Sequence, residues 1–432
     1  MIRGISKAFK RVNKEVIMEV DLSGTARGAA TAALIEAAAG WPEMPLPPGI
    51  GAGLDERDGA LATAIYRTAV QRWITLEYLL NQQLTQTLGR MEPAMRGVLL
   101  GGAAQLLFMD RLPAYAVVDE SVELAKRLLR PGAGGMVNAV LRKLVGLDWR
   151  SRLPAREMTE KYLMTATSHP AVLVNEWVGR YGKAEAERML EHSNVHPPVI
   201  VRCGGDACPR EGVGFVRHDE KGFVVWTGDH AGLTAFLREG EDRWVQDPTA
   251  AAAVEATGEC DAKLIVDYCA GKGTKTRQLA ALHRNATIVA SDVDANRYAE
   301  LERTFAGHER VCVMPMRELA EFEGRADGVV LDVPCSNTGV LARRPEARYR
   351  YSQKSIDGLL HVQRTIIERG VRLLAGGGTL LYSTCSVEPR ENQTQAKWIE
   401  KHIGLKQTGA GERLPGGEGA GYHDGGYWAR FR

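Results

Sequence analysis

From about Gln246 onward the sequence alternates short β-branched runs with helical stretches, and nothing else in it narrows the possible folds as much. Strand candidates are Lys263–Asp267, Thr287–Ser291, Arg310–Val313, Gly328–Asp332 and Gly378–Tyr382. Helical stretches fall between them, near Lys275–His283, Asn296–Phe305 and Ser355–Leu374. Parallel strands need crossover connections and helices supply them, so the pattern predicts a parallel sheet covered by helices on both faces. Ligands of such a sheet bind beyond the carboxyl ends of its strands.

Four strand ends carry candidate chemistry. The first reads Asp267-Tyr-Cys-Ala-Gly-Lys-Gly-Thr-Lys-Thr276, where glycines let the backbone turn tightly and the following helix offers unpaired N–H groups. One Gly-rich turn is weak evidence, and this one lacks the phosphate-loop Gly-Lys-Ser/Thr triplet. The second strand ends in Ser291-Asp-Val-Asp294, and an acidic residue there accepts hydrogen bonds from ribose hydroxyls. Asp292 alone would read equally well as a solvated strand end; with the Gly-rich turn it becomes a ribose ligand. The fourth and fifth strands end in Asp332-Val-Pro-Cys-Ser336 and Ser383-Thr-Cys-Ser386. Either cysteine alone would pass for a small buried apolar residue. Both together, at the functional edge of one sheet, point to catalysis.

Upstream, Thr25–Gly146 is helical throughout, with apolar residues such as Leu61, Ile65, Val70, Ile74 and Leu79 at spacings of four and five. Breaks at Gly101-Gly102, Pro113 and Pro131–Gly135 predict about five helices, the last break being a helix connector and not an anion cradle. Residues 151–245 begin helically and then turn to the short strand-like runs Val199–Arg202, Gly214–Arg217 and Gly222–Trp226, a small mixed α/β module. Trp226, Arg202, Arg217 and His218 there are candidates to face RNA, with packing the competing role for Trp226.

The 432 residues suffice for two or three domains, and 44% apolar with 25% charged residues is the composition of a folded soluble protein. A formal charge of +2 means that any nucleic-acid surface comes from local clustering of Lys and Arg. Seven cysteines, with no close pair except Cys203 and Cys208, fit neither a disulfide framework nor a metal site. The basic N-terminus is interrupted by Glu15 and Glu19, and no window has eighteen consecutive apolar residues. A cytoplasmic monomer without membrane or metal is expected.

With these residues in view, the sequence resembles the RsmB/Sun/Fmu-type ribosomal RNA (cytosine-5)-methyltransferases of the Sun (NSUN) family. The resemblance runs from about residue 22 to the C-terminus. It is carried by Ser168-His-Pro170, Pro197-Pro198 with Arg202, Gln246-Asp247, the turn Asp267–Thr276, Asp332-Val-Pro-Cys335, Arg343-Arg-Pro345, Thr384-Cys-Ser386, Glu391-Asn392 and Asp424-Gly425. Glu56-Arg-Asp58, Asp119-Glu-Ser-Val122 and Val137-Asn-Ala-Val-Leu141 resemble a NusB-like RNA-binding domain. It implies a multidomain chain: an extension over 1–21, an all-α NusB-like domain over 22–147, linker helices and a small α/β, RRM-like module over 151–245, and a Rossmann-like S-adenosylmethionine-dependent domain over 246–432.

The resemblance also implies roles. Cytosine carbon 5 becomes nucleophilic once a thiolate adds to carbon 6; Cys385 matches that nucleophile, and Cys335 the group that releases the product. Asp332 would bind the ring nitrogen 3 and exocyclic amine edge, and Lys275 would orient the base or the cofactor carboxylate. S-adenosylmethionine would lie against Cys269, Ala270, Gly271, Lys272, Gly273, Thr274, Lys275, Asp292 and Asp332. Its partner would be RNA, probed at an unpaired or flipped cytosine.

Four positions depart from the pattern: Lys272 stands where Pro is usual, Thr274 where Gly or Ser is, Cys203 where Asn is, and Met316 where an acidic residue would contact the adenine amine. Adenine recognition through backbone groups and Met314 or Met316 is therefore expected. Competing readings are a transfer RNA methyltransferase, a non-catalytic RNA-binding assembly factor, and a DNA cytosine-5 methyltransferase, whose nucleophile would be Cys335.

Overall fold

The structure is a computed structural model that describes residues 22–45, 49–110, 112–204, 212–240, 242–258 and 261–432. The expected extension 1–21 and Cys208 lie outside the described residues. The chain divides into two compact units, one up to Asn194 together with Arg344–Tyr351, the other Val195–Arg343 together with Ser352–Arg432. The division at Asn194 lies inside the 151–245 segment.

The first unit is helical: α1 (Ala26–Gly40), α2 (Glu56–Gln71), α3 (Trp73–Asn81), α4 (Pro93–Phe108), α5 (Ala114–Leu128), α6 (Ala133–Arg142), α7 (Thr159–Thr167), α8 (Ala171–Tyr181) and α9 (Lys183–His192). Side-chain caps fix some starts: Thr25 Oγ1 accepts from Gly28 N at 3.1 Å and Asp55 Oδ1 from Asp58 N at 2.8 Å. The expected break at Gly101-Gly102 does not occur, because both residues lie inside α4. A Cβ at Gly102 would stand 2.6 Å from Leu141 Cδ1, so this glycine serves close helix packing and ends nothing. Among the described residues six α-helices lie between Thr25 and Gly146, where about five were expected. The Pro131–Gly135 run is a connector only as far as Gly132; Gly134 and Gly135 belong to α6. Leu34, Trp73, Leu76, Leu99, Val137 and Leu141 form the core, which Tyr349 completes from the returning segment.

The second unit holds two sheets. The small one is antiparallel, in the order β2 (Phe215–Arg217), β3 (Phe223–Trp226), β1 (Val199–Cys203), β4 (Arg243–Val245), with α10 (His230–Arg238) before β4. Val201, Cys203 and Val224 pack on Phe236 of α10, while Ile200, Phe223 and Val225 pack on Ala251, Ala342 and Tyr422. Trp226 is half-buried against Phe236 and donates from Nε1 to Asp229 O at 2.9 Å, and His218 is buried with Nε2 2.9 Å from Tyr422 O. Arg202 pairs with Glu255 at 2.8 Å, which leaves Arg217 as the exposed member of that group.

The large sheet contains β5 (Leu264–Asp267), β6 (Thr287–Ala290), β7 (Val311–Val313), β8 (Ala326–Asp332), β9 (Leu374–Thr384), β10 (Gln407–Arg413) and β11 (Gly426–Phe431). Its order is β7-β6-β5-β8-β9-β11-β10. The five expected strands are parallel, but β11 runs antiparallel to β9 and β10 antiparallel to β11, so the sheet is mixed. Helices α11 (Pro248–Glu255), α12 (Thr274–Leu282), α13 (Ala295–Thr304), α14 (Gln353–Leu373) and α15 (Gln393–Trp398) accompany it. The chain leaves β5 toward β6 on one side and returns to β8 on the other, so the carboxyl ends of β5 and β8 flank the switch point where ligands bind.

Candidate active site

Between β5 and α12 the backbone turns at Gly271 and Gly273, both at positive φ. Gly273 has a second constraint, since a Cβ there would collide with the Phe305 ring. The end of β6 closes on this turn: Ala270 N donates to Ser291 O at 2.8 Å and Gly271 N to Asp292 Oδ2 at 2.9 Å. Asp292 Oδ1 accepts from Asp294 N at 2.8 Å. Below the turn Asp267 Oδ2 accepts from Thr276 Oγ1 at 2.7 Å, while Asp267 Oδ1 and Ser291 Oγ are buried with no hydrogen-bond partner among the described residues. Burial pushes the Asp267 carboxyl up to about 7, with the Asp332 and Asp292 charges acting in the same direction. Burial and the same carboxylates push the Cys269 thiol up.

The turn separates its residues by direction. Lys272 is exposed and pairs with Glu300 at 3.0 Å. With Gly273 and Thr274 it lines a cavity of about 510 Å³ shared with Arg238, Trp244 and Arg277. Lys275 instead points toward β8, its Nζ 2.5 Å from Asp332 Oδ1. Burial alone would lower the Lys275 pKa, but the Asp332 carboxylate outweighs it and raises the value, so the ammonium stays charged. Ser383 Oγ also donates to Asp332 Oδ1 at 2.9 Å, and among the described residues Oδ2 accepts no hydrogen bond.

The loops after β8 and β9 bring the two cysteines together, with Sγ atoms 3.3 Å apart. Cys335 is buried and Cys385 partly exposed. The contact with Cys385, burial, and the Cys385 and Glu391 charges push the Cys335 thiol well up, so it holds its proton. Cys385 Sγ lies 3.4 Å from Asn337 Oδ1, and Asn337 Nδ2 donates to Cys335 O at 2.8 Å. Lys275 lies close enough to Cys385 for their charges to interact.

What holds the loops is a set of residues that sequence reasoning left without a role. Glu391 accepts from Ser336 N at 3.0 Å, Ser336 Oγ at 2.5 Å, Ser386 Oγ at 2.6 Å and Gln363 Nε2 at 3.0 Å, joining both cysteine loops to α14. Burial raises its pKa against these donors. Asn392 accepts from Thr384 Oγ1 at 2.6 Å and donates to Ser386 O at 2.8 Å. Gly339 N donates to Cys385 O at 3.0 Å and its carbonyl accepts from Gly425 N at 2.8 Å. Glu391, Asn392 and Gly425 entered the sequence reading only as motif residues, and Asn337 carried a further signal, because Asn tolerates the left-handed backbone that it adopts at φ 61°. Beside the loops, Arg343 bonds Asp424 at 2.6 Å and Asp247 at 3.5 Å, joining three of the sequence motifs. Met314 and Met316, after β7, are half-buried against the core cluster that contains Tyr268 and Leu319. Among the described residues no group of three His, Cys, Asp or Glu side chains is placed to hold a metal, and no helix is long and apolar enough to cross a membrane.

Comparison with known proteins adds to this geometry. Residues 257–412 match the family model described as 16S rRNA methyltransferase RsmB/F, and residues 48–146 match the NusB family. The chain is 28% identical to a ribosomal RNA small subunit methyltransferase B of Erwinia tasmaniensis over 80% of its own length and 83% of that protein. It is 29% identical to the protein of that name from Xanthomonas campestris, over 87% and 86%. The crystal structure of PH0851 superposes with a TM-score of 0.74 at 22% identity, covering 94% of this chain and 98% of that one, a likeness of fold.

Proposed function

This chain belongs to the RsmB/F methyltransferase family and carries a NusB-family domain, and from that premise we propose that it methylates carbon 5 of a cytosine in 16S ribosomal RNA through a covalent adduct on Cys385. The observation that carries the reading is the pair of thiols 3.3 Å apart at neighbouring strand ends, beside the Lys275–Asp332 ion pair. S-adenosylmethionine supplies an electrophilic methyl group when bound. The residues present fit it: the unpartnered Asp267 Oδ1 can accept from its ammonium group, and each Asp292 oxygen keeps a lone pair for a ribose hydroxyl.

The chain's own residues then act in order. With the Lys275 ammonium close by, the Cys385 sulfur gives up its proton and adds to carbon 6 of the cytosine. Asp332 binds the Watson–Crick edge through Oδ2, accepting from the exocyclic amine, while ring nitrogen 3 takes up through water the proton that the Cys385 thiol gave up. Carbon 5 is thereby made electron-rich and takes the methyl group. Cys335 keeps its proton as long as Cys385 is free beside it. Once the Cys385 sulfur is tied into a thioether it no longer shares a proton with Cys335, and only burial and the Glu391 charge still oppose ionisation of that thiol. Cys335 can then ionise and remove the carbon-5 proton, nitrogen 3 returns its proton, and the carbon–sulfur bond breaks. The cytosine must leave any duplex to enter, so an unpaired or flipped base in the cytoplasm's ribosomal RNA is the substrate.

Denaturing gels of enzyme incubated with RNA and cofactor test the assignment. Cys335→Ala should accumulate a protein–RNA adduct and Cys385→Ala should form none; the reverse pattern would give Cys335 the nucleophile's role. Bisulfite sequencing of a deletion strain should show the lost methylation in 16S RNA, and a loss confined to transfer RNA would overturn the substrate.

A further inference from the structure

Arg72 separates α2 from α3 in the helical unit. Its guanidinium lies over the Phe108 ring, 5.1 Å from the centroid, and 6.0 Å from that of Trp149. One hydrogen bond, Nη1 to Ala166 O at 3.3 Å, is its share of the local network, and among the described residues no carboxylate comes within ion-pair distance. Burial first, and then the charge of the buried Arg348, lower its pKa to about 10 against the opposing Glu191 charge. A desolvated cation beside another cation is unfavourable unless something anionic completes it.

A cavity of about 560 Å³ opens on this guanidinium, within the 300–1,000 Å³ typical of small-molecule sites. Its walls include Trp149, Arg150, Arg156 and Tyr162, with Arg150 over the Trp149 ring at 4.7 Å and Arg156 over the Tyr162 ring at 5.0 Å. Glu187 and Glu191 also line it, and Glu187 is engaged by Arg156 at 3.6 Å. Guanidinium and aromatic planes alternating around a cationic floor are what an unstacked base and its phosphate require.

We propose that this cavity holds one unpaired nucleotide of the RNA substrate, its phosphate on Arg72 and Arg150 and its base against the Trp149 and Tyr162 rings. The proposal rests on the reading of RNA as substrate. It assigns the helical unit a defined contact with single-stranded RNA, separate from the cytosine that is methylated.

Fluorescence anisotropy of the full chain with a short single-stranded RNA, over a salt series, tests it. Arg150 is exposed, so Arg150→Glu should fold normally, which a circular-dichroism melt verifies. It should weaken RNA binding about tenfold and flatten the salt dependence by about one phosphate contact, near 0.7 in log–log slope. Cofactor affinity by calorimetry should not change. Arg72→Gln should weaken binding likewise, and RNA bearing 4-thiouridine should crosslink to the peptide containing Trp149 or that containing Tyr162. Unchanged affinity and slope in Arg150→Glu, or crosslinks confined to other peptides, would overturn the proposal. Adduct formation by Cys335→Ala is read separately, so a failure of this pocket and a failure of the methyltransfer reading give different results.

Discussion

Asp267 sits under the Gly271–Gly273 turn with one oxygen bonded to Thr276 and the other without a partner among the described residues, and burial pushes its carboxyl up to about 7. A carboxyl whose pKa is raised by folding stabilises the fold while it is protonated. That stability is fully present below the unfolded value near 4 and is lost as pH rises through 7, at most about 4 kcal/mol in all. Asp267→Asn should therefore flatten the fall in melting temperature between pH 4 and pH 8. Asp424, pushed up to about 7 by burial and Asp247, leaves a slope of the same sign in the variant. A second test concerns Met316, half-buried beside the end of β7. Met316→Asp should weaken cofactor binding about tenfold by calorimetry, roughly 1.4 kcal/mol, if its thioether packs on adenine. Cysteines, Asp292 and Asp332 were legible because they directly follow β-branched runs. Glu391 was visible only as part of a motif, without a role, and Gln363 not at all, since a buried carboxylate that gathers donors from two loops and a helix looks in sequence like any surface polar residue.

At the level of elements, the two cysteine loops are held in register by backbone. Gly339 lies in the first loop, bonds Cys385 O in the second, and accepts from Gly425 just before β11. A Cβ at 339 would collide with the Gly425 carbonyl and stand 2.9 Å from Cys385 O, and backbone cannot rotate aside as a side chain can. Gly339→Ala should cost about 3 kcal/mol in denaturant titration and slow adduct formation more than cofactor binding. The same strand, β11, shows where sequence reading stops. The parallel strands declare themselves through runs such as Leu264-Ile-Val and Gly328-Val-Val-Leu. Strand β10 reads Gln-Thr-Gly-Ala-Gly-Glu-Arg, with no apolar alternation. It forms because β11 offers it a hydrogen-bonded edge while burying Tyr427, Ala429 and Phe431 in the core. Long-range pairing of this kind leaves no local trace.

On the scale of the whole molecule, the order of residues along the chain and the membership of its compact units do not coincide. Arg344–Tyr351 is flanked by the methyltransferase segments yet belongs with the helices. Tyr349 donates to Val70 O at 2.7 Å, packs against Trp41 and joins the helical core. Arg348 is fully buried, and its two Nη atoms donate to Gln71 O, Thr167 O, Ser193 O and Asn194 Oδ1. A division at residue 147 or 151, as the family resemblance implies, passes over this dependence, because an eight-residue return has no periodicity to announce it. Removing the segment takes away one large buried aromatic, about 3–5 kcal/mol by analogy with truncation to Ala. It also strands buried carbonyls at about 1–3 kcal/mol each. That is comparable with the 5–15 kcal/mol stability of an ordinary domain. A fragment of residues 22–194 should therefore melt without a cooperative transition. The same fragment with Pro345–Tyr351 appended through a flexible linker should regain one, and Tyr349→Ala in the intact chain should destabilise the helical unit by the aromatic share alone. A cooperative melt of the bare fragment, equal to that of the linked one, would mean that the helices hold their core without the returning segment.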